Sequence, residues 1–501
     1  MTAEPLHDGA AWDHREGADP AGPVVPDESV STAFLVVRKS MTPRSRGGDG
    51  GAFYHRRMPR SQSFTRRALR RAGRVVAVLV SCCAVLGTVR LVVPATAGPE
   101  GDPPGVARQL AFVRQALDAG AGDEAQELFP EGYFFLHVLY GLGRAESGMR
   151  LPEGEARGEA LLEARWALGR LESGAGRAPF SPALVPEYGV FYRGWTNWLR
   201  GTVLALQPAG ARDPAEVRRF DEDSAALGAA FDASRTPFLA AYPGQAWPVD
   251  STVAVASLRL HDTLRPQRFA GTAARWLDAV RERLDPRTGL LPHRVDVMTG
   301  EPVEVARGTS QSMIQRFLVD IDPAFAREQY LRFRGLYVTT PLGLGPAVRE
   351  YPKGVDGPAD VDSGPLPLGV SLSATVVTLG AAQVEGDAPL AGALANHSEL
   401  LGLPVGTPWT KRYAFGLLPV GDAFLAWSKT ARPWVAPAPS PPPAGVPGWW
   451  RVPWASLLLL LAVAPWGPAV VRWWRRRGHA EPGPPVPPAV PGAQAGVGQR
   501  P

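Results

Sequence analysis

Two apolar stretches, each with an arginine cluster on its outer side, constrain this chain more than any other feature. Val75–Val89 follows Arg66, Arg67, Arg70, Arg71 and Arg74, and Val452–Val471 precedes Arg472, Arg475, Arg476 and Arg477. Moving Lys or Arg across a bilayer is costly, so basic flanks stay on the cytoplasmic side. Both outer ends are therefore expected in the cytoplasm, and everything from Gly98 to Pro447 on the far side of a cell membrane. The pattern sets a compartment and leaves the reaction open.

The two stretches differ in kind. The second is long enough to span, and Trp449, Trp450 and Trp454 at one edge with Trp473 and Trp474 at the other form interfacial aromatic belts. Pro465 and Pro468 are expected to kink it, which membrane helices tolerate. The first stretch is shorter than the ~20 residues of a span and ends near Ala95-Thr96-Ala97, an A-x-A pattern. It reads as an uncleaved anchor or as a signal peptide, with Met41 and Met58 as alternative starts. Either outcome leaves the central region on the same side; the N-terminal tail is cytoplasmic only if the segment is uncleaved.

The expected division runs as follows. A disordered cytoplasmic tail covers 1–73, the anchor or signal peptide 74–97, and an extracytoplasmic helical domain 98–436. A Pro-rich spacer covers 437–447, a transmembrane helix 448–474, and a second disordered tail 475–501. The tails are rich in Gly and Pro without a sustained apolar period. The only two cysteines, Cys82 and Cys83, lie in the first stretch, so the central domain has no disulfide, thiolate metal site or cysteine nucleophile. The net charge of +5 comes from Arg beside the apolar stretches, which excludes nucleic acid as the expected partner.

The central region reads as a dozen helices with no competing β-alternation. Asp213-Pro214 and Asp322-Pro323 each pair an N-cap acceptor with Pro at the first helical position. Phe269, Ala273, Trp276, Val280 and Leu284 recur at three and four, defining one buried face. The connections carry aromatics, acids and glycines: Tyr242–Asp250 with Trp247, then Leu290–His293, Arg307–Gln311, and Arg349-Glu350-Tyr351 running on to Asp360-Val361-Asp362. Long decorated loops between helices commonly line sites.

Over Val106–Lys429 this layout resembles the six-hairpin (α/α) toroid enzymes, which include many glycosidases and also the linalool dehydratase-isomerase type of terpene enzyme. The resemblance implies a mainly α, toroid-like fold whose inner helices aim their ends into a central cleft. It also implies a hydrolase-like activity on a carbohydrate or cell-envelope glycan. The terpene type is associated with pocket cysteines, which this domain lacks; a terpenoid or other small hydrophobic alcohol is the alternative substrate. A non-catalytic glycan-binding scaffold is a third reading.

Asp250, Glu350 and Asp362 are the expected catalytic carboxyls, since glycoside cleavage needs two flanking the bond. Each has a competing structural role: Asp250 as a helix N-cap, Glu350 in a salt-bridged loop beside Arg349, and Asp362 in an Asx turn. Tyr242, Trp247 and Tyr351 would stack on sugar faces, and Arg307 would orient an anionic group beside helix amides. His293 is a proton-transfer candidate. Asn197, within Trp195-Thr196-Asn197-Trp198, is either a core residue or a substrate contact. No P-loop, dinucleotide fingerprint, H-E-x-x-H, EF-hand or nucleophile elbow occurs, so no cofactor and no metal are expected.

Overall fold

The computed structural model describes residues 61–96 and 101–478. Most of both expected tails, and Ala97 of the A-x-A pattern, lie outside the described residues. From Arg67 onward the chain forms one compact unit. Its helices are α1 (Ser61–Val92), α2 (Val106–Asp118), α3 (Ala121–Leu128), α4 (Gly132–Gly148), α5 (Glu155–Leu171), α6 (Gly174–Arg177), α7 (Gly189–Ala205) and α8 (Pro214–Ala233). Next come α9 (Pro248–Leu264), α10 (Ala270–Arg281), α11 (Gly308–Leu318), α12 (Pro323–Tyr337), α13 (Leu372–Val384), α14 (Ala388–Leu401) and α15 (Pro419–Lys429). The chain ends in α16 (Arg451–Val463) and α17 (Gly467–Gly478).

The contacts arrange the central helices in two layers. Helices α4, α7, α9, α11, α13 and α15 each touch the next, and α15 returns to α4, closing a ring of six. Outside it, α2 packs on α15 and α4, α5 on α4 and α7, α8 on α7 and α9, α10 on α9, α12 on α11, and α14 on α13. The mainly helical class expected from the sequence is what the chain adopts. Inner and outer helices alternate along the chain, so every inner helix starts at the same end of the ring, hereafter the mouth.

Burial explains which helices go inside. Nearly every residue of α4, α7 and α9 is buried, as fits helices surrounded on all sides, whereas α10 buries one stripe. Close approach within the ring uses glycine. A Cβ on Gly194 would lie 3.0 Å from Ala254, and one on Gly201 2.7 Å from Leu260, so α7 and α9 nearly touch. The ring interior is aromatic: Trp195 lies 5.3 Å from Phe317 and 5.8 Å from Trp427, and Trp198 lies 5.2 Å from Phe317.

One ion pair crosses this interior. Arg316 of α11 donates to Glu146 of α4 at 2.7 Å and to the Trp427 carbonyl at 3.0 Å, with its guanidinium 3.6 Å above the Trp427 ring. Thr430 Oγ1 donates to the other Glu146 oxygen at 2.7 Å. Helices α4 and α11 stand opposite in the ring, so the pair ties its two sides together.

Three short antiparallel ribbons sit at the mouth, each in a connection that leads from an outer to an inner helix. They pair β1 (Arg294–Val295) with β2 (Pro302–Glu304), β3 (Val338–Thr339) with β4 (Ala347–Val348), and β5 (Val405–Gly406) with β6 (Lys411–Arg412). Two helical stretches, Arg71–Val92 and Gly448–Arg475, are long and apolar enough to cross a membrane. The first belongs to α1, which starts at Ser61, inside the stretch expected as tail; Arg, Ala and Leu there are good helix formers. The second carries a 3-10 turn at Ala464–Trp466 between α16 and α17, where Pro465 and Pro468 stand. The two stretches pack together: Ser81 Oγ donates to the Ala462 carbonyl at 2.8 Å, and Trp466 Nε1 donates to Ser81 Oγ at 2.9 Å.

Candidate active site

Three inner helices bring acids to the mouth and a fourth brings an arginine. Glu131 directly precedes α4. Asp250 lies in the first turn of α9, after the Tyr242–Trp247 loop. Arg307 directly precedes α11, and Glu350, Asp360 and Asp362 lie in the connection leading to α13. Helix N-termini carry unpaired amides and a partial positive charge, so this end of the ring favours carboxylates.

Asp250 is not the N-cap of its helix. The helix begins at Pro248, Trp247 occupies the cap position, and Asp250 stands third within the first turn. It is 4% exposed, and among the described residues no hydrogen bond reaches its carboxyl. Burial, then the nearby charges of Glu131 and Asp362, push its pKa well above the ordinary carboxylate range. Tyr242 Oη donates to Glu131 Oε1. Burial and the charges of Glu131, Asp250 and Asp362 hold the Tyr242 phenol protonated. Asp362 is solvent-exposed, yet protein surrounds it closely enough that desolvation, with Asp360 and Glu131, lifts its pKa to about 6. Both descriptions fit a residue lining a concave cleft, reached by water but crowded on most sides. Glu131, Tyr242, Asp250 and Asp362 thus form one group of acids with no cation bonded to it among the described residues.

A second group sits beside it with its charge compensated. Arg307 Nε donates to Glu350 Oε1 at 2.8 Å and Arg307 Nη1 to Asp360 Oδ2 at 2.6 Å. The Thr309 amide and hydroxyl reach the Glu350 carboxylate at 3.1 and 2.8 Å. Burial still raises Glu350, against the pull of Thr309 and Arg307. For Asp360, the Ser363 amide and Arg307 outweigh burial and lower its pKa. The guanidinium of Arg307 stands 5.4 Å over the Tyr351 ring. The salt-bridged-loop reading of Glu350 therefore describes its geometry, with Arg307 as the partner. Arg349 is held instead by Asp356 at 2.6 Å and by loop carbonyls.

Backbone geometry makes this second group possible. The Gly308 amide donates to the Glu350 carbonyl at 2.7 Å, and a Cβ on Gly308 would fall 2.1 Å from the Arg349 carbonyl oxygen. Only glycine lets the loop reach the start of α11. Gly308→Ala is expected to cost about 1–3 kcal/mol of stability by overpacking and to displace Glu350 from Arg307. A thermal melt together with a structure of the variant checks this; an unmoved Glu350 would contradict it.

The remaining expected residues divide. His293 is buried, hydrogen-bonded through Nδ1 to Ser310 Oγ, and its Nε2 lies 3.9 Å from Glu304. Burial, then Arg307, lower its pKa to about 4, so it is a neutral imidazole near pH 7. Tyr242 and Trp247 are half-buried with ring centroids 5.5 Å apart, edge to face, beside the acids. Of the two roles expected for Asn197, core residue or substrate contact, its surroundings are those of a packed residue. Its Nδ2 donates to Ser224 and Ser257 Oγ, both at 3.0 Å, and it is 1% exposed within the packing of α7, α8 and α9. Mid-helix on α7, its side chain faces the seam with α8 and α9.

Glu131 was missed by sequence reasoning. It sits in Phe129-Pro130-Glu131-Gly132, a short turn between α3 and α4, and the signal that could have found it is the flanking aromatic run Phe129, Tyr133, Phe134 and Phe135. Helix α3 itself went unread, and that concealed a helix start at Gly132. A separate depression of about 410 Å³ lies outside Tyr351, lined by Arg349, Asp356 and Leu368 among others. Its polar groups already bond each other, so the chemistry is sought at the adjacent acids.

No protein-family model matches the sequence, and no curated protein matches it. Among solved structures, the chain is similar to a GH76 α-mannanase of Bacteroides thetaiotaomicron, at 10% identity and TM-score 0.35, over 59% of this chain and 84% of that one. What the ring does is therefore argued from its own residues.

Proposed function

We propose that this protein is a membrane-anchored enzyme whose helical ring acts on a carbohydrate, a cell-envelope glycan, by carboxylate acid/base chemistry. One observation carries the reading. Two carboxyls with no bonded cation among the described residues, Asp250 and Asp362, share the mouth with Glu131 and Tyr242, and burial with neighbouring charge raises both, Asp362 to about 6 and Asp250 well above the ordinary range. Separated pKa values on neighbouring acids mark acid and base roles. Asp250, the more deeply buried of the two, favours its protonated form and serves as the general acid. Asp362, ionised above about 6, serves as the base. Glu131, tied to Tyr242, strengthens the field that favours the protonated form of Asp250. Tyr242 and Trp247 offer ring faces to a sugar, and Arg307 orients it while holding Glu350 and Asp360.

A group of several acids favours a sugar over a terpenoid alcohol, for which one acid in a dry aromatic pocket would be expected. Convergence of the acids also speaks against a non-catalytic scaffold, which would leave them scattered. The two apolar helices would hold the ring at a membrane, and their arginine flanks would place it on the outer side.

The pH profile tests the assignment. Below about 6 the base Asp362 is protonated and lost, so kcat/KM should fall as pH drops from 7 to 5. Asp362→Asn should remove that acid limb along with most of the activity. The assay is release of reducing sugar from envelope glycans; an acid limb that survives in Asp362→Asn assigns the base elsewhere.

A further inference from the structure

Among the described residues, four of the six non-glycine positions with left-handed backbone are large, exposed and apolar. Leu342 (φ 51°), Leu368 (φ 55°), Leu403 (φ 48°) and Phe415 (φ 61°) are 79%, 63%, 55% and 62% exposed. Three stand in tight turns directly before a glycine, and the fourth, Leu403, directly after one. An L-residue in this region is strained, and a large apolar side chain facing water is unfavourable as well. Strain of this kind collects where function needs it. All four lie at the mouth: Leu342 at the tip of the β3–β4 ribbon, Leu368 ahead of α13, Leu403 after α14 and Phe415 ahead of α15. Trp409 at the β5–β6 tip and Leu417 ahead of α15 add apolar surface, 78% and 82% exposed.

The apolar helices leave the domain from this same end. Asn396, near the mouth end of α14, donates to the carbonyls of Arg90 and Val93 at 2.8 and 2.7 Å. Arg90 donates to the Pro404 carbonyl at 3.0 Å, one residue from Leu403. Trp454 Nε1 donates to the Leu344 carbonyl at 2.6 Å, and a Cβ on Gly343 would meet the Trp449 ring at 3.0 Å, beside Leu342. From these anchors, α1 read backwards and α16 read forwards both run away from the ring.

We propose that the mouth rim docks on the lipid bilayer that holds the two helices, with Leu342, Leu403, Trp409, Phe415 and Leu417 entering the interface, so that the acid-lined mouth opens toward the headgroups. The inference rests on the membrane reading above. Continuity with the apolar helices identifies the occupant: a surface fixed beside two bilayer-crossing segments meets the same bilayer. Interfacial Trp and strained, outward-held leucines suit that depth.

The test uses the full-length chain with Cys82→Ser and Cys83→Ser, carrying one cysteine at a time by Leu342→Cys, Trp409→Cys or Leu417→Cys. Glu153→Cys, in the α4–α5 connection at the opposite end, is the control. Each variant receives an environment-sensitive fluorophore in vesicles of phosphatidylcholine and phosphatidylglycerol that contain a shallow nitroxide-labelled lipid. Labels at 342, 409 and 417 should be strongly quenched and the label at 153 unaffected. Quenching at the three rim positions no greater than at 153, in protein that floats with the vesicles, overturns the docking while leaving the membrane anchor standing. Failure to float removes the anchor and the docking together. Neither readout needs enzymatic turnover, so the glycan reading stands or falls separately.

Discussion

Asp250→Asn lowers turnover of the cleaved glycan by about 10²–10⁴-fold, the range for loss of a positioned proton donor, while the melting temperature stays near that of the wild type. The two halves of this expectation come from one environment. Burial and the charges of Glu131 and Asp362 push the Asp250 pKa well above the ordinary carboxylate range and so favour its neutral form. Asn has the same shape and is also neutral, so folding loses little. It cannot give up a proton to a leaving oxygen, so the chemical step loses its acid. Measurement of kcat and KM beside a calorimetric melt separates the effects. Full turnover in the variant would take Asp250 out of the mechanism, and a collapse of stability would make it a structural residue.

The largest stability effect is expected at the ring's cross-tie. Arg316→Met leaves Glu146 buried, 2% exposed, with Thr430 Oγ1 as its remaining side-chain partner. Removing one partner of a buried ion pair costs about 3–5 kcal/mol, because the other charge stays desolvated. The double replacement Arg316→Met with Glu146→Leu should recover much of that loss, since apolar side chains of similar volume need no compensation. A double-mutant cycle by denaturant melts gives the coupling. A single-variant loss under about 1 kcal/mol would mean that the pair is solvated or dispensable.

The fold was legible where one helix face or one cap carried the information. Pro323–Tyr337 starts where Asp322-Pro323 marks it, with the Asp322 side chain accepting from the Phe325 amide as an N-cap. The start of α9 was not legible. Pro248 opens the helix two residues ahead of Asp250, so the acid that resembled a cap is a buried side chain whose carboxyl has no hydrogen bond among the described residues. Helix α3 is short and follows α2 after a break of two residues, and its polar run has no sustained apolar period. Missing it hid Glu131. Leu342 and Leu368 were invisible for another reason: Pro-Leu-Gly is ordinary turn sequence, and only backbone dihedrals show that the middle residue is left-handed.

By itself the sequence determined the helical class, the two apolar stretches with their arginine flanks, and the loops in which acids and aromatics gather. These are local properties, set by periodicity, capping and composition along one segment. Only the tertiary structure decided which acids share a field. Glu131 stands more than a hundred residues from Asp250 and from Asp362, and closing the ring brings their helix starts to one mouth. Proton affinity depends on burial and on neighbouring charges, both created by packing. The same closure drew Glu350 to Arg307, turned Asn197 into the helix packing, and set the mouth at the end where the apolar helices depart.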